Sequence, residues 1–147
     1  GCTVLAYNRS KITDASVDRQ VSLEELLSSA DIVSLHCPLT AETKGMIGKE
    51  QLAQMKKTAF LINTARGGVV DQDALAAALS DGQIAGAALD VFDKEPPLPE
   101  DHPLLHAPNT IVTPHIGFAS VESLEQRADI VFENLYSWLE GRQLNAV

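Results

Sequence analysis

Three side chains in this sequence differ in the chemistry they offer, and each follows a short apolar run: Arg66, Glu95 and His115. Arg66 sits in Asn63-Thr64-Ala65-Arg66-Gly67-Gly68, where small residues, one cation and two glycines come together. Its planar fork of donors matches a carboxylate bidentately, which a lysine cannot reproduce. The glycines let the backbone turn sharply or approach a ligand closely. Glu95 comes after Leu89-Asp90-Val91-Phe92-Asp93-Lys94, so several carboxylates leave one apolar run together. His115 stands in Thr113-Pro114-His115-Ile116-Gly117. Alone, each has a plain reading: Arg66 as a solvated turn residue, Glu95 as a solvated acid before two prolines. At one rim, the three suit reduction of a 2-keto acid, in which hydride reaches the carbonyl carbon and a proton must reach its oxygen. An imidazole supplies that proton near neutral pH. A neighbouring carboxylate favours the imidazolium, and a guanidinium anchors the substrate carboxylate and polarises the carbonyl.

The elements that must position these groups are legible as short β-branched runs at residues 2–7, 31–36, 59–63, 84–91 and 110–113. Most are apolar throughout, as in strands buried on both faces of a parallel sheet covered by helices. Between them, Ser22 and Glu25 form an S-x-x-E capping box before Leu23, Leu26 and Leu27. A shorter helix is expected over residues 49–55. Asp71 caps an alanine-rich helix through Leu79, which Gly82 ends in the left-handed conformation. The longest helix carries Leu124, Ala128, Val131, Leu135 and Trp138 on one face, with Gly141 just beyond. Residues 93–109 hold five prolines and little periodicity, and read as an ordered, lid-like loop. Strand, helix and strand in succession mean βαβ units, whose ligands bind beyond the carboxyl ends of the strands.

Composition narrows the function. The 147 residues are 45% hydrophobic, enough for one sizeable core and short for two ordinary domains. A net charge of −9 opposes the clustered cations of a nucleic-acid surface. No apolar stretch nears the ~20 residues of a membrane helix. Cys2 and Cys37 have no paired spacing and are expected as reduced thiols in the cytoplasm. Cys37 reads as a small packed side chain rather than a reactive thiol. His102 and His106 have i, i+4 spacing, yet Pro103 between them and the lack of nearby ligands argue for loop residues and no metal.

Taken in order, three segments resemble the D-isomer-specific 2-hydroxyacid dehydrogenase family: residues 63–71, residues 87–92 leading to Glu95-Pro96, and residues 109–117. The resemblance implies an α/β fold, a Rossmann-like doubly wound parallel sheet flanked by helices, and transfer of hydride between a nicotinamide cofactor and a small 2-keto or D-2-hydroxy acid. By position it implies that Arg66 binds the substrate carboxylate and carbonyl, that Glu95 pairs with His115, and that His115 is the acid in reduction and the base in oxidation. Asp90 would contact the nicotinamide end and Thr64 and Ala65 would lie against its ribose, with Arg66, His115 and Gly117 also among the cofactor-binding residues. Cys37 and Pro38 would lie on the path of the adenosine and pyrophosphate, with Thr43 near the cofactor's middle. Asn8 and Arg9 occupy the place where the family most often has an aspartate that holds the ribose hydroxyls and repels the extra phosphate of NADP. That exchange keeps both NAD and NADP open and tilts the reading toward NADP, although Asn-Arg-Ser also suits a tight turn. A homodimer is usual for the family.

The family's G-x-G-x-x-G turn is found nowhere in these residues. The chain is therefore expected to start at the second cofactor-domain strand. It would be a partial NAD(P)-binding domain over residues 1–147, truncated at its N-terminus and lacking the substrate domain. Without those amides the pyrophosphate loses its main anion site, so this chain by itself should bind cofactor poorly. Two other functions remain open at this level: a cofactor-sensing, corepressor-like interaction module of the same fold, and an inert fragment.

Overall fold

The computed structural model describes residues 1–95 and 97–146, and the chain falls into two compact units, Gly1–Pro114 and His115–Val147. In the first, β1 (Leu5–Ala6), β2 (Arg19–Gln20) and α1 (Leu23–Ser29) are followed by β3 (Ile32–Leu35), α2 (Lys49–Gln54), β4 (Phe60–Asn63) and α3 (Gln72–Ser80). Then come β5 (Gly86–Leu89), α4 (Pro103–His106) and β6 (Thr110–Val112). The second unit holds one long helix, α5 (Val121–Leu139). Among the described residues no helix is long and apolar enough to cross a membrane.

Four strands form a parallel sheet in the order β3-β4-β5-β6, with Val33 beside Leu61, Leu61 beside Ala87, and Ala87 beside Thr110. Every strand therefore ends at the same edge, which places Asn63, Asp90 and Thr113 side by side. The helices α1 to α4 pack against one another in chain order. Their Leu27, Leu52, Leu75 and Leu104 share one buried core with Val33, Leu35, Leu61, Ala87 and Leu89 of the sheet. This is the parallel sheet flanked by helices that the sequence implies.

The strands are more two-faced than their composition suggests. Along β3 and β4 burial alternates, so Ile32 is 61% exposed and Phe60 49% exposed, and on β6 Ile111 is 68% exposed. Strands β3 and β4, apolar on both faces, are thus buried chiefly on the one that carries the core, whereas β5 is buried along most of its length and β6 is not.

The first strand is shorter than the run 2–7 and pairs with a strand that has no apolar signature. Leu5 lies opposite Arg19 and Ala6 opposite Gln20. Side chains hold what the short ladder does not: the Gln20 amide donates to the carbonyls of Asn8 and Ser10 and accepts from the Ile12 N–H. Asp18 accepts from the Val4 N–H at 2.7 Å.

Helix ends follow the capping rules with one change. Ser22 accepts from the Glu25 N–H at 3.1 Å, but Glu25 does not return the bond, because its carboxylate pairs with Arg19. Half of the expected capping box is formed. Asp71 accepts from the Ala74 N–H at 3.0 Å, and Gly82 at φ +63° lets the Gln83 N–H reach the Ala78 carbonyl at 2.8 Å. The proline-rich loop also contains a helical turn, α4, which starts at Pro103 where a missing N–H costs nothing. In α5 the anticipated apolar positions Leu124, Val131, Leu135 and Trp138 are exposed.

Replacing Asp71 by Ala removes the cap of α3 and should lower stability by about 1 kcal/mol, whereas Asp71→Asn keeps most of it. Urea unfolding of the two variants checks this. An alanine variant as stable as the parent would show that the cap contributes nothing.

Candidate active site

The turn after β4 is organised by the buried side chain of Asn63. Its Oδ1 accepts from the Ala65 N–H at 3.0 Å and its Nδ2 donates to the Arg66 carbonyl at 3.0 Å, closing a loop that projects Thr64 and Arg66 toward solvent. The Asn63 carbonyl accepts from the Asp90 N–H at 2.9 Å, which ties this turn to the end of β5. Thr113 in turn donates its backbone N–H to Leu89 at 2.9 Å and its hydroxyl to the buried carboxylate of Asp90. Three strand ends are thereby cross-linked at one edge.

Gly67 brings the next two segments together. A Cβ on this residue would stand 2.0 Å from the Phe92 carbonyl carbon, 2.3 Å from its oxygen and 2.5 Å from the Asp93 nitrogen, so only glycine lets the two backbones pack. Arg66 precedes that contact and Glu95 follows it. The Glu95 carboxylate, exposed, accepts from the Phe92 N–H at 3.2 Å. The Arg66 guanidinium, on an exposed residue, donates to the Ala65 carbonyl at 2.6 Å through one of its two terminal nitrogens. Pro96 of the Glu95-Pro96 pair lies outside the described residues.

An open cleft of about 610 Å³ lies where the chain leaves β3 and β4, lined by His36, Cys37, Pro38, Leu39, Thr64, Ala65 and Arg66. Four residues expected along the cofactor, Cys37, Pro38, Thr64 and Ala65, share it with Arg66. Cys37 is half-buried and packs against the core. Thr43 lies in the following loop and donates to the Pro38 carbonyl at 2.6 Å, which holds the cleft wall. On the same loop the Thr40 hydroxyl and then the Glu42 backbone N–H hold the exposed Glu42 carboxyl below the usual carboxylate range, with a smaller contribution from Arg9. Arg9 and Asn8 follow β1 and are exposed, and Asn8 donates to Ser10 at 3.1 Å.

His115 and Gly117 belong to the second unit. His115 has φ +55°, the left-handed region that a histidine adopts more readily than most residues but at a cost. Its ring and that of Phe118 form a T-shaped pair, with centroids 6.1 Å apart at 79°.

His102 and His106 serve the loop itself. His102 accepts from the Leu104 N–H at 3.3 Å as the cap of α4 and pairs with Gln72 at 3.2 Å, while His106 donates to the Glu100 carbonyl at 2.7 Å. Two residues that bear on the site were not singled out from the sequence: Asn63, whose position at a strand end before a turn is the signal, and Thr113, which precedes Pro114 without any distinctive pattern.

A parallel sheet with helices packed on it and a mixed polar and apolar cleft at the carboxyl ends of its strands defines a dinucleotide-binding class. The chain belongs to the D-isomer specific 2-hydroxyacid dehydrogenase family, whose NAD binding domain matches residues 1–117. It is 49% identical over 144 residues to a glyoxylate reductase of Korarchaeum cryptofilum, covering 96% of this chain and 43% of that protein. Among solved structures it is similar to the NAD-complexed D-isomer specific 2-hydroxyacid dehydrogenase of Lactobacillus delbrueckii ssp. bulgaricus. That match has a TM-score of 0.87 and 34% identity over 99% of this chain and 48% of the other. It is likewise similar to an NADPH-dependent glyoxylate/hydroxypyruvate reductase of Sinorhizobium meliloti, with a TM-score of 0.86 and 33% identity over 99% and 45%. The chain thus spans less than half the length of these relatives.

Substituting Gly67 by Ala forces a methyl group into the Phe92–Asp93 peptide. The expected loss is at least about 1–3 kcal/mol, the usual cost of overpacking. Thermal unfolding of Gly67→Ala beside Gly68→Ala provides the comparison, since the atoms nearest a Cβ at Gly68 are side-chain ones, of Leu39 at 3.1 Å and 3.3 Å and of the Asp93 carboxylate at 3.5 Å. Equal stability of the two variants would contradict the close-packing account.

Proposed function

We propose that the protein carrying this chain reduces a small 2-keto acid, glyoxylate or hydroxypyruvate, to its 2-hydroxy acid with a nicotinamide dinucleotide, and runs the reaction in reverse as a D-2-hydroxyacid dehydrogenase. The observation that carries the reading is the packing of Gly67 on the Phe92–Asp93 peptide, which sets the Arg66 and Glu95 segments against each other beside the cleft. Relatives named glyoxylate reductase and glyoxylate/hydroxypyruvate reductase support the substrate class.

The residues present fit a dinucleotide. Pro38, Leu39 and Ala65 offer apolar wall, while Thr64, His36 and Arg66 offer polar groups at the same cleft. When bound, the cofactor supplies the hydride. In this reading Arg66 grips the substrate carboxylate with two parallel N–H bonds and draws electron density from the carbonyl. His115 gives its proton to the carbonyl oxygen as it becomes a hydroxyl, and takes it back in oxidation. Glu95 favours the protonated imidazole and fixes which ring nitrogen faces the substrate. Asp90, held by Thr113, and Gly117 stand beside the nicotinamide; Thr64 and Ala65 hold its ribose; Cys37, Pro38 and Thr43 follow the rest of the cofactor. Asn8 and Arg9 in place of a carboxylate tilt the choice toward NADP, and NAD fits the same path. We place the protein in the cytoplasm, where Cys2 and Cys37 remain reduced thiols, and as a homodimer, which is usual for the family.

The full-length gene product should oxidise NADPH or NADH when given glyoxylate or hydroxypyruvate. His115→Ala should lower kcat by about 100-fold or more, the usual contribution of a positioned acid. Arg66→Lys, which keeps the charge and loses the fork, should lower kcat/KM about 10- to 100-fold. Steady-state assays on these variants decide the matter, and turnover that survives His115→Ala would rule out the proton-donor role.

A further inference from the structure

We propose that Phe118 is a positioning residue for the His115 imidazole, and that Arg127 locks Phe118 in place. The inference rests on the reading of His115 as the proton donor and concerns the second unit alone. Phe118 is half-exposed, so burial in a core does not explain a large aromatic side chain here. Its contacts do. Its ring and the His115 imidazole form a T-shaped pair with centroids 6.1 Å apart, within the range where aromatic pairs attract beyond their contact area. The Arg127 guanidinium carbon lies 5.0 Å from the centroid of the same ring, a cation–π distance.

The backbone of Phe118 is held by the same helix. Ser123 donates its hydroxyl to the Phe118 carbonyl, and Ser120 and Ser123 cap each other's N–H groups at 3.1 Å and 3.2 Å. Ala119 donates to the Ile116 carbonyl at 2.9 Å, tightening the turn that leads into α5. Ser123 and Arg127 are four residues apart on α5 and therefore share one face. One helical face thus grips Phe118 twice, at its carbonyl and at its ring, and Phe118 passes that rigidity to an imidazole whose own backbone sits at φ +55°. A reacting group displaced by as little as ~1 Å loses much of its rate, which is the reason such a prop matters.

The test uses the full-length protein with glyoxylate or hydroxypyruvate. Phe118→Leu should lower kcat about tenfold with KM within about twofold, because positioning acts on the chemical step and not on substrate binding. Phe118→Tyr, which keeps the ring, should restore kcat to within about twofold, and Arg127→Met should fall between them. Unfolding midpoints should match the parent, which separates positioning from loss of fold. If Phe118→Leu and Arg127→Met keep parental kcat while His115→Ala abolishes turnover, the proposal is overturned and the proton-donor reading stands. If His115→Ala leaves turnover intact, that reading fails. The proposal is then judged by the His115 Cε1–H resonance of histidine-labelled protein: movement toward the free-histidine position in Arg127→Met supports the lock, and an unchanged resonance overturns it.

Discussion

The site depends on two backbones touching where a side chain would keep them apart. Gly67 lies flat against the Phe92–Asp93 peptide, and that contact sets the distance between the turn after β4 and the loop after β5. Without it, Arg66 and Glu95 would hang from independent loops. With it, each moves only as far as the other segment allows. The Asn63 side chain completes the constraint by closing the turn that presents Arg66, while its carbonyl fastens the same turn to Asp90. Buried polar groups are costly unless satisfied, and here a satisfied amide and a satisfied carboxylate hold exposed, charged neighbours in place.

This division of labour runs through the first unit. The groups to which the proposed reaction gives chemistry, Arg66 and Glu95, are exposed and bonded to backbone of their own loops, whereas Asn63 and Asp90, which tie the strand ends together, are buried. The parallel sheet makes the arrangement possible because all four strands end at one edge. In the second unit the support comes from a helix: Ser123 and Arg127 grip the turn that follows His115. The two kinds of support differ in material, peptide packing in one and an aromatic ring under a cation in the other.

The sequence made the strand runs, the Asp71 cap and the Arg66 turn legible because each has a local signature: apolar continuity, a capping residue, glycines beside a cation. The two-residue β2 has none, since Arg19 and Gln20 are polar and owe their conformation to Leu5 and Ala6 alongside. The α4 turn was hidden in a proline run because four residues are too few for periodicity. Glu25 fits the capping-box pattern, yet Arg19, distant by six positions, claims its carboxylate. Alternating burial on β3 and β4 was equally hidden, as composition does not reveal which face of an apolar strand helices will cover. Arg127 has no local signature in mid-helix, and it is the ring beneath its guanidinium that marks it.

The strand order β3-β4-β5-β6 repeats the order of synthesis, so each new strand is laid beside the one made just before it. Such a sheet grows from one edge without waiting for a distant partner, and a nascent polypeptide emerging N-terminal end first can assemble it in passing. Its last strand is then the one that finishes the floor beneath Asp90. Ribosomes that stop short of Thr110 would release a protein with its guanidinium and carboxylate in hand but without the hydroxyl of Thr113 that Asp90 is built to meet.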